Sequence, residues 1–152
     1  MRVYKGKTHH KAKVCISLLS AFLFASSVAA IENVVIVVHP DNPINQLSKS
    51  DVINLYMGRN NTFVNGNKAI TFDLSDDSNL KKVFYKALIG RSIAQVNAYW
   101  SRVKFSGRAT PPIKLTSHAE ILTNVSSSLS AIGYLPLSEV SPDVKVVFTF
   151  NE

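Results

Sequence analysis

Residues 69–90, AITFDLSDDSNLKKVFYKALIG, change from the pattern of a strand to the pattern of a helix within a few positions. The apolar and β-branched residues Ala69–Phe72 predict a strand. After a polar segment, apolar side chains recur at the spacing of one helix face: Leu80, Val83, Phe84, Ala87 and Leu88. Asp76 and Asp77 lie at the positive end of this predicted helix, and Gly90 ends it. A strand that leads directly into a helix is the usual unit of an α/β sheet.

Similar signals lie on both sides of this segment. The five β-branched residues Val34–Val38 predict a strand that is covered on both faces, and residues 131–135 and 144–148 predict two final strands. Three more helices are predicted, each after a serine that can cap it: Ser48, Ser92 and Ser117. The order β-α-β-α-α-α-β-β favours the α/β class, with helices on the faces of a sheet. Six side chains are expected to be largely inaccessible: Leu80, Val83, Phe84, Leu88, Val96 and Trp100.

Charge is unevenly distributed along the chain, which has 152 residues with 17 Lys and Arg against 10 Asp and Glu. Five of the basic residues lie within residues 2–13, whereas residues 1–30 contain no acid. The remainder carries 12 basic and 10 acidic side chains, so it is nearly neutral. So small a net charge gives no sign of the strong electrostatic attraction that nucleic-acid binding uses, and we expect no nucleic-acid partner.

The amino terminus has the three parts of a secretory signal peptide. Residues 1–13 are basic, residues 14–28 are apolar or small, and Val28-Ala29-Ala30 offers small residues where a signal peptidase cleaves. The apolar run is shorter than the roughly 20 residues that a membrane-spanning helix needs. Cys15, the only cysteine, lies within this run and not at the cleavage site, which argues against a lipoprotein. We therefore expect a signal peptide at 1–30, one domain at 31–152 without a membrane span, and a periplasmic location.

The side chains that commonly perform catalysis or bind metals form no recognisable motif. His39 and His118 are far apart in the sequence and have no partner motif. Adjacent Asp76 and Asp77 would point in different directions on a helix, so they do not make an acid–base pair. The sequence has no nucleophile elbow, no phosphate loop and no dinucleotide fingerprint. We expect no catalytic residue, no metal site and no cofactor.

The polar segment at residues 73–79 is the strongest candidate for ligand binding. The start of a helix exposes unpaired N–H groups and a partial positive charge, which suit an anion such as phosphate. Simple helix capping explains the same residues, and the carboxylates of Asp76 and Asp77 would repel an anion. Arg102 and Arg108 are the next residues that could bind one. The candidate site consists of backbone N–H groups and hydroxyls of four residues: Ser75, Asp77, Ser78 and Asn79.

Several short motifs, taken in order, resemble the periplasmic phosphate-binding proteins of ABC transporters. They are residues 47–59 (LSKSDVINLYMGR), Asn65-Gly66 with the strand at 69–73, residues 75–84 at the place of the family's Asp-Gly-Ser-Gly-Thr turn, and residues 131–134 (AIGY). The resemblance extends over residues 34–148. It implies one lobe of a type II periplasmic-binding-protein fold with a mixed sheet, reversible non-catalytic binding of phosphate, and an ABC transporter as the membrane partner.

The chain departs from this family where the ligand would bind. Ser78 matches the serine of the family's turn, but Asn79 replaces a glycine and Leu80 replaces a threonine. The arginine expected before the turn is absent, because residues 71–74 are Thr-Phe-Asp-Leu. Two hypotheses follow. The chain is an exported oxyanion-binding protein of transport type, or it is a periplasmic protein-interaction or assembly module that kept the lobe and lost the ligand.

Overall fold

The structure, a computed structural model, describes residues 33–150 together with Met1 and Arg2. The rest of the predicted signal peptide and its cleavage site lie outside the described residues. Within the described part of the chain, no helix combines the length and the apolar character needed to cross a membrane.

The described domain contains a sheet of five strands and four α-helices. In chain order they are β1 (Val34–Val38), α1 (Lys49–Tyr56), β2 (Ile70–Leu74), α2 (Asn79–Ile89), α3 (Ile93–Phe105), β3 (Ile113–Leu115), α4 (His118–Ser126), β4 (Ala131–Pro136) and β5 (Lys145–Thr149). The strand order is β3-β2-β4-β1-β5. Strand β2 is parallel to β3 and β4, whereas β1 is antiparallel to β4 and β5. The predicted α/β class with a mixed sheet is confirmed.

Helices cover both faces of the sheet at its centre. On β4, Gly133 lies against α4, because a Cβ built on this glycine would come within 2.6 Å of the Ile121 side chain. The next residue, Tyr134, points to the opposite face and stacks on Phe84 of α2, with 4.1 Å between ring centroids. All five residues of β1 and all six of β4 are buried. This explains why β1 is an unbroken β-branched run and does not alternate with polar residues.

The predicted helix starts are also confirmed. Ser48 and Ser92 each form a complete capping box. The Ser117 hydroxyl accepts the N–H of Glu120, but the Glu120 carboxylate accepts from the backbone of Thr116 instead of closing the box on Ser117. Helix α2 begins after Ser78 and ends at Gly90, whose φ of 69° is in the left-handed region.

Two expectations need correction. Strand β3 was not predicted, because it has only three residues, which are exposed or half-buried and directly follow Pro111-Pro112. Of the six side chains expected to be inaccessible, Val83 is only partly buried, whereas the other five are in the core.

Candidate functional site

The four candidate residues lie together in the connection between β2 and α2. The Ser78 hydroxyl caps α2 by accepting the N–H of Lys81 at 3.4 Å, and the Ser78 N–H donates to the Ser75 carbonyl at 3.1 Å. The Ser75 N–H donates to the carbonyl of Leu115 at 3.0 Å. The turn is therefore held at the carboxyl edge of the sheet, where the parallel strands β2 and β3 both end.

Asp77 and Asn79 occupy the exposed side of this turn. Their backbone N–H groups have no backbone acceptor among residues 33–150. A hydrogen bond from the Ser75 side chain lowers the pKa of the Asp77 carboxyl. The Asp77 carboxyl also accepts a hydrogen bond from its own backbone N–H, so within residues 33–150 the N–H left without a partner at this helix start is that of Asn79, beside a carboxylate.

The neighbouring carboxylate, Asp76, accepts hydrogen bonds from the cationic and amide side chains around the turn. Its Oδ1 accepts from the Nζ atoms of Lys81 and Lys114, each at 2.8 Å, and its Oδ2 accepts from the Asn97 amide at 2.9 Å. Hydrogen bonds from Lys114 and then Lys81 hold the pKa of Asp76 well below its ordinary value of 3.8. The Asp76 carboxylate therefore occupies the donors that a bound oxyanion at this place would use.

Lys81 is itself buried, with its side chain only 1% exposed. Its Nζ lies 2.9 Å from Asp73 Oδ2, 2.8 Å from Asp76 Oδ1 and 2.9 Å from the Leu74 carbonyl. An ammonium group has three N–H donors, so these three acceptors use all of them. Lys81 has no donor left for a ligand, and its role is structural.

Asp73 is the anionic partner of Lys81 at the end of β2. Beyond the lysine, its carboxylate accepts the hydroxyls of Tyr134 at 2.6 Å and Tyr85 at 3.0 Å, as well as the N–H of Leu74 at 2.8 Å. Burial and then the charge of Asp73 raise the pKa of both tyrosines, which stay neutral donors. Every oxygen of this buried carboxylate has partners, so the Asp73–Lys81 pair meets the condition under which a buried ion pair is tolerated.

Solved phosphate receptors have the same lobe. An ABC-type phosphate transport receptor from Vibrio cholerae matches 76% of this chain and 45% of its own length, with a TM-score of 0.61 and 17% identity. PstS from Borrelia burgdorferi matches 76% of this chain and 46% of its own length, with a TM-score of 0.56 and 13% identity. A structure from Clostridium perfringens that contains bound phosphate matches with a TM-score of 0.60 and 17% identity. The domain has the fold of one phosphate-receptor lobe.

This confirms the resemblance to phosphate-binding proteins of ABC transporters at the level of the fold. The chain spans less than half the length of these receptors. No family model matches the sequence, and no curated protein matches it.

The sequence motifs shared with the phosphate-binding family did not identify the side chains that surround the Ser75–Asn79 turn. The sequence pattern does not distinguish Lys81 from the adjacent Lys82, yet Lys81 lies among the buried side chains of α2. Two signals could have identified it. Lys81 stands four residues before Tyr85 on the same helix face, and Asp73 is an acid within an otherwise apolar strand.

The two histidines of the domain and the aromatic pair Tyr99-Trp100 of α3 lie elsewhere in the lobe. Trp100 is a core residue, and the Tyr99 hydroxyl donates to the Met57 carbonyl at 2.7 Å. His39 accepts the N–H of Asp41, and His118 lies 2.9 Å from Glu139. Among the described residues, no group of three His, Cys, Asp or Glu side chains is arranged to hold a metal.

Proposed function

We propose that the chain is an exported, non-catalytic binding protein that holds phosphate or a similar oxyanion at the Ser75–Asn79 turn and serves an ABC transporter. The observation that carries this proposal is the start of α2, where the Asn79 N–H has no acceptor within residues 33–150 and the Asp77 N–H meets only its own carboxyl. The receptor-like fold supports it, because solved proteins with this lobe are described as phosphate receptors or substrate-binding proteins.

Binding at this turn would be reversible capture without a covalent step. The N–H groups and the Ser78 hydroxyl donate to the oxyanion, and the partial positive charge of the helix start favours it. The carboxylates of Asp76 and Asp77 act against it, and solvent screens the charges at an exposed turn. We therefore expect weak affinity, with a Kd on the order of 1 mM.

A second candidate function is a periplasmic interaction or assembly module. The specific observation in its favour is the Asp76 carboxylate, which already accepts from Lys81, Lys114 and Asn97. In this alternative, an internal anion replaces the external one, and the lobe is retained for contact with another protein.

Calorimetric titration with phosphate, sulfate and a neutral sugar tests both candidates. Asp76→Asn is expected to strengthen phosphate binding about tenfold, because it releases the exposed Lys114 to the ligand. Asp77→Asn is the matched control, since it removes the same charge from the same turn without freeing a lysine. Ser78→Ala is expected to weaken binding about fivefold through the loss of one hydrogen bond to a charged group.

The outcomes separate the two candidates. Binding by Asp76→Asn but not by the native protein at millimolar phosphate would favour the interaction module. Absence of binding in both proteins would contradict an oxyanion site at this turn. Tight binding that Ser78→Ala leaves unchanged would move the site away from the turn, and Arg102 and Arg108 would be tested next.

Export is proposed from residues 1–30 alone. We expect the protein recovered from the periplasm to begin at Ile31, because Val28-Ala29-Ala30 fits the site that a signal peptidase recognises. Mass spectrometry of the periplasmic fraction measures this directly. A product that keeps Met1–Ala30 and stays in the membrane fraction would show that the segment is an uncleaved anchor.

A further inference from the structure

A second concave surface lies at the other end of β2, away from the Ser75–Asn79 turn. We call it the basic groove. Its volume is about 790 Å³, within the range of roughly 300–1,000 Å³ that is common for ligand sites. Its walls come from the end of α1, the start of β2, the end of α3 with the loop that follows it, and the start of β3. These are residues 55 and 58–61, 68–71, 104 and 107–111, and 113.

The charges of this groove are all of one sign. Four basic side chains line it, and no Asp or Glu is among the lining residues: Arg59, Lys68, Lys104 and Arg108. All four are exposed, and within residues 33–150 none of them has a carboxylate partner within 4.0 Å. At the Ser75–Asn79 turn, by contrast, the lysines Lys81 and Lys114 are paired with the Asp76 carboxylate.

Helix ends explain why some of these basic residues stand at their positions, but they do not explain all four. Arg59 follows α1, and Lys104 and Arg108 flank the end of α3, where the helix dipole favours positive charge. Lys68 precedes β2 and has no helix end beside it. Three segments that are separate in sequence therefore bring like charges to one concavity, an arrangement that concentrates anions.

The groove is also rigid where α1 meets α3. The Tyr99 hydroxyl joins α3 to the Met57 carbonyl at 2.7 Å. Gly58 has a φ of 66°, and a Cβ built on it would come within 2.6 Å of the Trp100 ring and 2.9 Å of the Ala109 side chain. Walls that are already fixed in place reduce the entropy that a ligand must remove on binding.

We propose that the basic groove binds a small polyanion that carries two or more phosphate groups. Guanidinium groups such as those of Arg59 and Arg108 pair with phosphate oxygens in two parallel hydrogen bonds. The side chains of Asn60, Asn61 and Thr110 add amide and hydroxyl donors along the same surface. A chain of phosphates presents several anionic groups to the cations of the three segments, whereas a single phosphate ion presents one. This site is separate from the turn, and it does not depend on the function proposed there.

Titration of the purified protein with tripolyphosphate and with orthophosphate, at equal ionic strength, tests the proposal. Tripolyphosphate is expected to bind at least about tenfold more tightly than orthophosphate. The double variant Arg59→Ala/Arg108→Ala is expected to lose at least about tenfold in tripolyphosphate affinity. The matched control is Arg91→Ala/Lys86→Ala, which removes two exposed charges outside the groove and is expected to lose less than about threefold.

Amide chemical shifts locate the bound anion independently of affinity. Tripolyphosphate is expected to shift the amides of residues 58–61 and 107–110. Equal losses in the two double variants would overturn the proposal, since they would indicate binding to net charge alone. Shifts confined to residues 75–79 would also overturn it. Failure of phosphate to bind the turn would contradict only the function proposed for that turn.

Discussion

Phe84→Ala is expected to lower the free energy of unfolding by about 3–5 kcal/mol, the usual range for a deleted core aromatic. Phe84 is fully buried on α2. Its ring stacks on Tyr134 and meets the rings of Tyr56 and Tyr85 edge-on, with centroids 4.8 and 4.9 Å away. Two of these three tyrosines are held by hydrogen bonds to Asp73, so they cannot easily move into the space left by the truncation.

Urea denaturation of the two proteins measures this loss. Phe105→Ala is the matched control, because Phe105 at the end of α3 is 96% exposed and its truncation is expected to cost less than about 0.5 kcal/mol. If both variants unfolded at the same urea concentration, α2 would not bury the face that the structure assigns to it.

Lys81→Met is expected to destabilise the protein by about 3–5 kcal/mol, although methionine is nearly as long and more apolar. The substitution leaves the Asp73 carboxylate buried without its counter-charge, and it removes a donor from the Leu74 carbonyl. An uncompensated buried charge costs more than the original ion pair contributes. The loss of stability therefore comes from the unpaired Asp73 carboxylate that remains buried after the substitution.

Two further variants isolate that cause. Lys82→Met, at the adjacent exposed lysine, is expected to change the free energy of unfolding by less than about 0.5 kcal/mol. The double variant Asp73→Asn/Lys81→Met is expected to recover part of the loss, because no unpaired charge stays in the core. This account would be contradicted if the double variant lost more free energy of unfolding than the two single variants lose together.

The structural role of Lys81 bears on the two functions proposed for the turn. Because its three donors are all used, the lysine that can be released by Asp76→Asn with little cost is Lys114, whose side chain is 53% exposed. We therefore expect Lys114→Ala to cancel most of the gain in phosphate affinity produced by Asp76→Asn. If the gain persisted, Lys81 would have to turn away from Asp73 to meet the ligand.

The sequence by itself determined the local features of this protein. The buried strand Val34–Val38, the caps at Ser48, Ser92 and Ser117, and the apolar face of α2 all depend on residues within a few positions of one another. The strand-to-helix turn at residues 75–79 also depends on residues that are close together in the sequence. Its presence could be predicted, because a helix start requires only a cap and an apolar repeat.

Only the tertiary structure decided what surrounds that turn and where the unpaired cations lie. Lys81 is buried because β2 places Asp73 beside it. Asp76 is paired because Lys114 reaches it from β3, and the Asn97 amide of α3 adds a hydrogen bond. The basic groove likewise combines side chains from four segments that have no common spacing in the sequence. A lysine has the same local pattern whether it covers a helix surface or completes a buried ion pair, and the difference is the long-range partner that packing supplies.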